Sequence, residues 1–438
     1  MPKIIPNCPK RPPQAGEKGE FSHEISLLTP LFGGGWKAGE ADPGMPFRAT
    51  AIRGQLQFWW RATVGANCEN AEELWQKHAE TWGCTGKASP VKIMVENVQA
   101  GTPKPCGKYT SSEPGKWGFV PDNSLEQPGI KYAFFPFVGK PPDRGENTPQ
   151  VEPAAFLPDG SFTLRVICPP AMLNDVRTAV RTWVNFGGLG ARTRRGCGSI
   201  YCKDLAPASA AEAASLLKAL LPNPPKAPRE WPTLRGPPLA GKEAPPLVAW
   251  DSAMAALHKF RQGRNFARNP GRNGRPGRSR WPEPETIRQI AENRSAEHSL
   301  MENIPQDAFP RAELGLPIIF HFKDRRSGDP ADTELYPYVN ETKRDRMASP
   351  LIIKALGLQN GNALPIVLRL HTPPLENVVL EGEEVVPGGR ETIYGADNLR
   401  GEKLAGYHNS PMKGTASGSA LEAFINFIQD EDVWGILD

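Results

Sequence analysis

NFGGLGARTRRGCGSI (residues 185–200) packs five glycines and three arginines into one short stretch and then takes on strand character. What precedes it decides how it is read. AMLNDVRTAVRTWVNF (171–186) sets Leu173, Val176, Val180 and Val184 on one helical face, so the glycine run joins a helix to a strand. A dinucleotide-binding fingerprint needs the opposite order, a strand turning into a helix, which argues against nicotinamide or flavin chemistry.

Outward from this loop, FSHEISLLT (21–29) alternates Phe21, Ile25 and Leu27 against Ser22, Glu24 and Ser26, as a strand does. VKIMV (91–95), SFTLRVIC (161–168) and SIYCKDL (199–205) read as three more strands. TAIRGQLQFWWRAT (50–63) spaces Ile52, Leu56, Trp59 and Trp60 as the buried face of a helix, with Thr50 as its N-cap and Arg53, Gln57 and Arg61 on the opposite stripe. The order β-α-β-β-α-β over residues 18–205, with an insertion near 99–158, predicts a ferredoxin-like unit, a layout shared with RNA-recognition modules.

The rest of the chain is expected to be organised around a second such unit, giving an α+β protein. Residues 1–17 form an N-terminal extension, and 206–246 a Pro/Ala-rich linker whose last 25 positions hold nine prolines. Within 247–438, a helix near 251–262, strands at 316–322 and 364–370, and a helix at 419–428 predict a more decorated ferredoxin-like domain. The seven cysteines form no CxxC pair and no Cys/His set at zinc spacing, so reduced thiols are expected. With no apolar run of membrane length and no signal-peptide core in MPKIIPNCPK, the cytosol is the expected compartment.

The net charge of +4 conceals a sorting of charge. Residues 47–68, 181–203 and 258–280 together hold 16 of the 52 basic residues and no acid, which leaves 36 basic residues against 48 acids elsewhere. A chain that follows a polyanion sorts its charge in this way.

Each patch has a chemical reading. In the loop, Gly187, Gly188, Gly190 and Gly196 let the backbone approach a polyanion and present N–H groups, while Arg192, Thr193, Arg194 and Arg195 meet phosphates. Arg48, Thr50 and Arg53 stand at the positive end of a helix. The third patch, FRQGRNFARNPGRNGRPGRSRW (260–281), spaces Arg261, Arg264, Arg268, Arg275, Arg278 and Arg280 through Gly, Asn and Pro up to Trp281, a composition expected to order on a partner.

LLTPLFGGG (27–35), RATAIRGQLQFWWRAT (48–63), FGGLGARTRRGCGSI (186–200), GRSRWPEPETIR (277–288) and RMASPLIIK (346–354) together resemble the RAMP superfamily, in particular the first Cmr subunit of type III-B CRISPR effector complexes. The resemblance runs over most of the chain. It implies two ferredoxin-like folds, no metal or other cofactor, and a non-catalytic capping role near the 3′ end of a guide RNA and the paired target RNA, beside the other Cmr subunits. Gln57 departs from the pattern, since many relatives carry an arginine there, which weakens a phosphate contact at that position.

An enzyme reading remains beside it: a RAMP-type endoribonuclease needs a general base for the 2′-hydroxyl, and His23 on the first strand is the candidate. GCTGKAS (83–89) has two residues between its glycines where a Walker motif needs four, which argues against an NTPase. A protein-interaction scaffold without RNA contact would leave the three acid-free patches unexplained.

Overall fold

The computed structural model describes residues 18–35, 39–113, 116–220, 230–234, 236, 238–271, 277–295, 308–322, 328–383, 385, 392–395, 410–412, 418–430 and 434–436. The extension 1–17 and Arg275 lie outside the described residues.

The first half runs β1 (Gly19–Leu27), β2 (Leu31–Phe32), α1 (Ala49–Ala62), α2 (Ala71–Trp82), β3 (Lys92–Ala100), β4 (Lys104–Pro105), β5 (Gly107–Glu113), β6 (Lys116–Pro121), α3 (Pro128–Phe134), β7 (Ala155–Leu157), β8 (Gly160–Cys168), α4 (Leu173–Phe186) and β9 (Ile200–Tyr201). Four strands form an antiparallel sheet in the order β3-β8-β1-β9, so β1 and β8 are its centre. The alternation along β1 and β8 sends Ile25, Phe162, Leu164 and Val166 to one face, where the apolar stripes of α1 and α4 cover them. On the other face Arg165 of β8 donates to Glu20 of β1 at 2.6 Å. The final strand is shorter than SIYCKDL predicts: only Ile200 and Tyr201 pair with β1.

The second half holds α5 (Ala210–Leu220), β10 (Thr233–Leu234), β11 (Leu239–Ala240), α6 (Pro246–Gln262), α7 (Glu283–Ile290), β12 (Ile318–Phe320), β13 (Thr333–Val339), β14 (Thr342–Lys343), β15 (Leu351–Gly357), β16 (Ala363–His371), β17 (Asn377–Glu381), β18 (Thr392–Gly395), α8 (Ala420–Asp430) and β19 (Gly435–Ile436). The segment expected to be a linker is therefore partly built into the fold. Both β10 and β11 pair with β16, and β11 also pairs with β19. The strand predicted at 316–322 belongs elsewhere: β12 joins β13, β14, β17 and β18 in a separate sheet with its own core around Leu335, Val378, Leu380 and Phe309.

Every residue of β15 is buried because both faces of its sheet are covered. Ile352 and Leu356 join the core under α1 and α4, while Leu351, Ile353 and Ala355 join the core of α6 and α8. A strand buried on both faces reads as a continuous apolar run, and LIIKALG breaks that run only at Lys354. The layers are thus first sheet, α1 and α4, second sheet, α6 and α8. The insertion docks on this second half, where Asp251 of α6 accepts from the N–H groups of Gly129 (2.8 Å) and Ile130 (3.2 Å) at the start of α3.

Candidate nucleic-acid interface

The glycine loop leaves α4 at Gly187 and returns to the first sheet through β9. Two of its glycines are dictated by indoles: a Cβ at Gly187 would stand 2.5 Å from the Trp59 nitrogen, and one at Gly196 2.4 Å from that of Trp250, where φ is also +78°. Close packing of protein on protein, rather than approach to a polyanion, requires glycine at these two positions. Gly188 is buried with them and Gly190 is exposed. Among the glycines expected to present N–H groups, Gly187 and Gly196 spend theirs inside the protein. Gly187, Leu189, Ala191, Arg195 and Gly196 donate to Trp183, Gly198, Phe32, Arg192 and Thr193 carbonyls within the protein.

The three loop arginines all reach across to other elements. Arg192, held at φ 57°, donates its Nε to the Ala133 carbonyl of the insertion. Arg194 donates to the Ser349 carbonyl just before β15 and stands 5.5 Å from the centre of the Phe58 ring. Arg195 donates to the carbonyls of Leu351 and Leu314, both at 3.2 Å, while Trp250 donates back to the Arg195 carbonyl at 2.8 Å. The loop therefore covers the unpaired edge of β15.

Every one of these acceptors is a backbone carbonyl, so the positive charge is left without a counter-ion among the described residues. Burial lowers the pKa of all three guanidinium groups, and burial together with the neighbouring charges of Arg192, Arg261 and Arg194 brings that of Arg195 to about 9. Arg261, at the end of α6, brings a fourth cation to this place, and its Nε is buried without a hydrogen-bond partner. Beside the loop, Gln55, Phe58, Thr193, Arg194 and Ile352 line a cleft of about 190 Å³ between α1 and β15.

The helix-start residues divide. Arg48, not Thr50, is the N-cap of α1; no side chain caps that end and its first turn holds no acid. Thr50 is exposed one residue inside the helix. The Arg48 guanidinium donates to the Gly34 carbonyl, and a Cβ at Gly34 would lie 3.7 Å from Gly190, so Arg48 borders the glycine loop. Arg53 instead ties α1 to the turn between α2 and β3, through the Val91 carbonyl at 3.1 Å and the Trp82 carbonyl and ring. Arg61 is engaged with His78 Nε2 at 3.1 Å, and burial, then the charges of Arg61 and Arg53, lower that imidazole to about 4. Gln57 is half-buried on α1.

The described part of the third patch is hydrogen-bonded within the protein. Asn269 and Arg280 donate their N–H groups to the carbonyls of Arg278 and Ala267. Arg268 donates to Gly277 at 3.5 Å, Arg280 to Asn269 and Asn265 at 2.8 Å each, and Arg278 pairs with buried Glu285. Arg264 is exposed. Trp281 is 1% exposed and packs edge-on against Phe260 at 5.3 Å, so it is a core residue and no stacking platform for a base.

Lys354 was missed, although a lone lysine inside LIIKALG is a visible signal. It is wholly buried, donates to the Gly187 carbonyl at 2.8 Å, and burial lowers it to about 7. His23, the candidate base, neighbours Phe21, Arg177, Cys202 and Asp204 rather than the glycine loop.

With this geometry in hand, the RAMP superfamily model matches residues 24–201, which span the whole first sheet except the start of β1 and run through the glycine loop. No curated protein matches the chain. Among solved structures, the chain is similar to Cmr1 from Pyrococcus furiosus in its apo form at 15% identity and a TM-score of 0.45, with 85% of this chain and 93% of that chain covered. It is also similar to a chain of the type III-B Cmr-beta complex bound to cognate target RNA at 13% identity and a TM-score of 0.42, with 80% and 94% covered. Likeness at this level is too loose to fix a fold or a role.

Proposed function

We propose that the chain, whose residues 24–201 match the RAMP superfamily model, is a non-catalytic RNA-binding subunit of a type III-B CRISPR effector complex. In this reading it grips the sugar-phosphate backbone of the guide RNA near its 3′ end and of the paired target RNA, and caps the row of other Cmr subunits. Both sheets are then ferredoxin-like: the four-stranded β3-β8-β1-β9 and, within the five-stranded second sheet, β15-β16-β11-β19 share one strand order, each with two helices on one face. The first unit spans about 18–205, and the second starts at β10 and carries the separate small sheet as decoration.

The observation that carries the reading is the group of Arg192, Arg194, Arg195 and Arg261, four guanidinium groups converging without a carboxylate partner among the described residues. Like charges gathered at a half-buried place repel one another, and a polyanion relieves that repulsion. Carbonyl bonds hold the guanidinium planes in place but neutralise nothing, and each plane has five N–H donors, more than the protein uses. Contacts of this kind read backbone and not base, as a protein that accepts many guides requires. Four of the five resembling motifs support the same reading, because LFGGG, the α1 segment, the glycine loop and RMASPLIIK all meet at this joint.

A guide RNA with a photoreactive group near its 3′ end, assembled with the full complex, should crosslink to residues 192–195. Crosslinks confined to other parts of the chain, or to other subunits, would contradict the assignment. The purified protein should leave single-stranded RNA intact, and cleavage abolished by His23→Ala would favour the endoribonuclease.

A further inference from the structure

The fold brings a histidine of the first strand together with two metal-ligating side chains that lie 179 and 181 positions further along the sequence. His23 on β1, Cys202 just beyond β9 and Asp204 in the following turn place Nδ1, Sγ and a carboxylate oxygen all within 4.8 Å of one another. We propose that these three groups bind one Zn²⁺, leaving its fourth position to solvent, an assignment independent of the RNA reading.

The geometry favours a metal over a hydrogen bond. His23 Nδ1 stands 3.7 Å from the Asp204 carboxylate, too far for a hydrogen bond and near the ~3.4 Å edge between N and O ligands of a tetrahedral zinc ion. That nitrogen is itself buried with no hydrogen-bond partner. A thiolate, an imidazole and a carboxylate are a donor set suited to zinc. Arg177, which stands over the Phe21 ring beside His23, opposes a cation, and the two negative ligands offset it. The consequence is local: β9 is held to β1 by only two residue pairs, and a metal bridging His23 to Cys202 and Asp204 would clip that strand, and with it the return of the glycine loop, to the sheet centre.

The test uses the full-length protein, stripped of metal and titrated with Zn²⁺ against a chromophoric chelator. One Zn²⁺ per chain is expected, with a rise in Tm on binding and a thiolate-to-metal charge-transfer band when Co²⁺ is substituted. Asp204→Ala, at an exposed side chain that leaves folding intact, and His23→Gln should each weaken binding by about 100-fold, at the upper end of what even outer-shell losses cause. Cys84→Ser, an exposed thiol elsewhere, should change nothing. Cys202→Ser should abolish the charge-transfer band. Absence of Zn²⁺ binding by the unaltered chain, or binding that survives either Asp204→Ala or His23→Gln, overturns the proposal.

Discussion

The glycine loop and the arginine tract at 258–280 look alike on paper, and Arg278 at the end of the tract differs from the loop arginines in what balances its charge. In the tract Arg278 shares the buried Glu285 with Arg288 at 3.4 Å and Arg294 at 2.6 Å, and Arg288 is also clamped by both oxygens of Asp329 at 2.9 Å. In the loop Arg192, Arg194 and Arg195 meet only carbonyls. An acid-free window therefore does not measure uncompensated charge. The acid that neutralises Arg278 arrives from α7, and the loop receives none among the described residues.

The largest effect that could break this comparison belongs to Glu285. Glu285→Ala leaves Arg278, Arg288 and Arg294 without their shared carboxylate, and urea unfolding should show a loss of about 3–5 kcal/mol. A loss below about 1 kcal/mol would mean that the tract is no better balanced than the loop.

Lys354 sharpens the other side, since it is a further cation buried at the loop without an acid. Its pKa falls from 10.5 in the unfolded chain to about 7 in the folded one, so between these values the unfolded state binds the extra proton and stability rises with pH. From pH 7 to pH 9 the rise should be about 2–3 kcal/mol at most, at 1.36 kcal/mol per unit. Below pH 7 both states are protonated and the cost of burial is constant. Lys354→Met should remove this rise, and an identical pH profile for the variant would show that the ammonium is not buried as a charge.

The strands and helices around the first sheet were legible because Ile25, Phe162, Leu164, Val166 and the stripes of α1 and α4 obey the two simple periods. What was not legible depended on partners far away in sequence. Leu239–Ala240 is too short to show alternation and sits among prolines, yet it is a central strand of the second sheet because β16 and β19 flank it. The strand at 318–320 has the right composition for that sheet and belongs to another, since its partner β13 lies next in sequence. At the site, the glycine motif was visible and its reason was not: Trp59, Trp183 and Trp250 set the glycines, and no local pattern announces three indoles closing on one loop.

The proposed function requires that the loop's unbalanced arginines hold RNA backbone and that Arg278 of the tract, balanced by Glu285, does not. The direct measurement is the salt dependence of single-stranded RNA binding for two variants shown to be folded, Arg192→Ala with Arg194→Ala and Arg195→Ala, and Arg278→Ala. With ~0.7 counterions released per phosphate contact, the loop variant should shallow the log-log slope by about 2 for every RNA sequence alike, and the tract variant should leave it nearly unchanged. An unaltered slope for the loop variant, or an equal loss for the tract variant, would contradict the account.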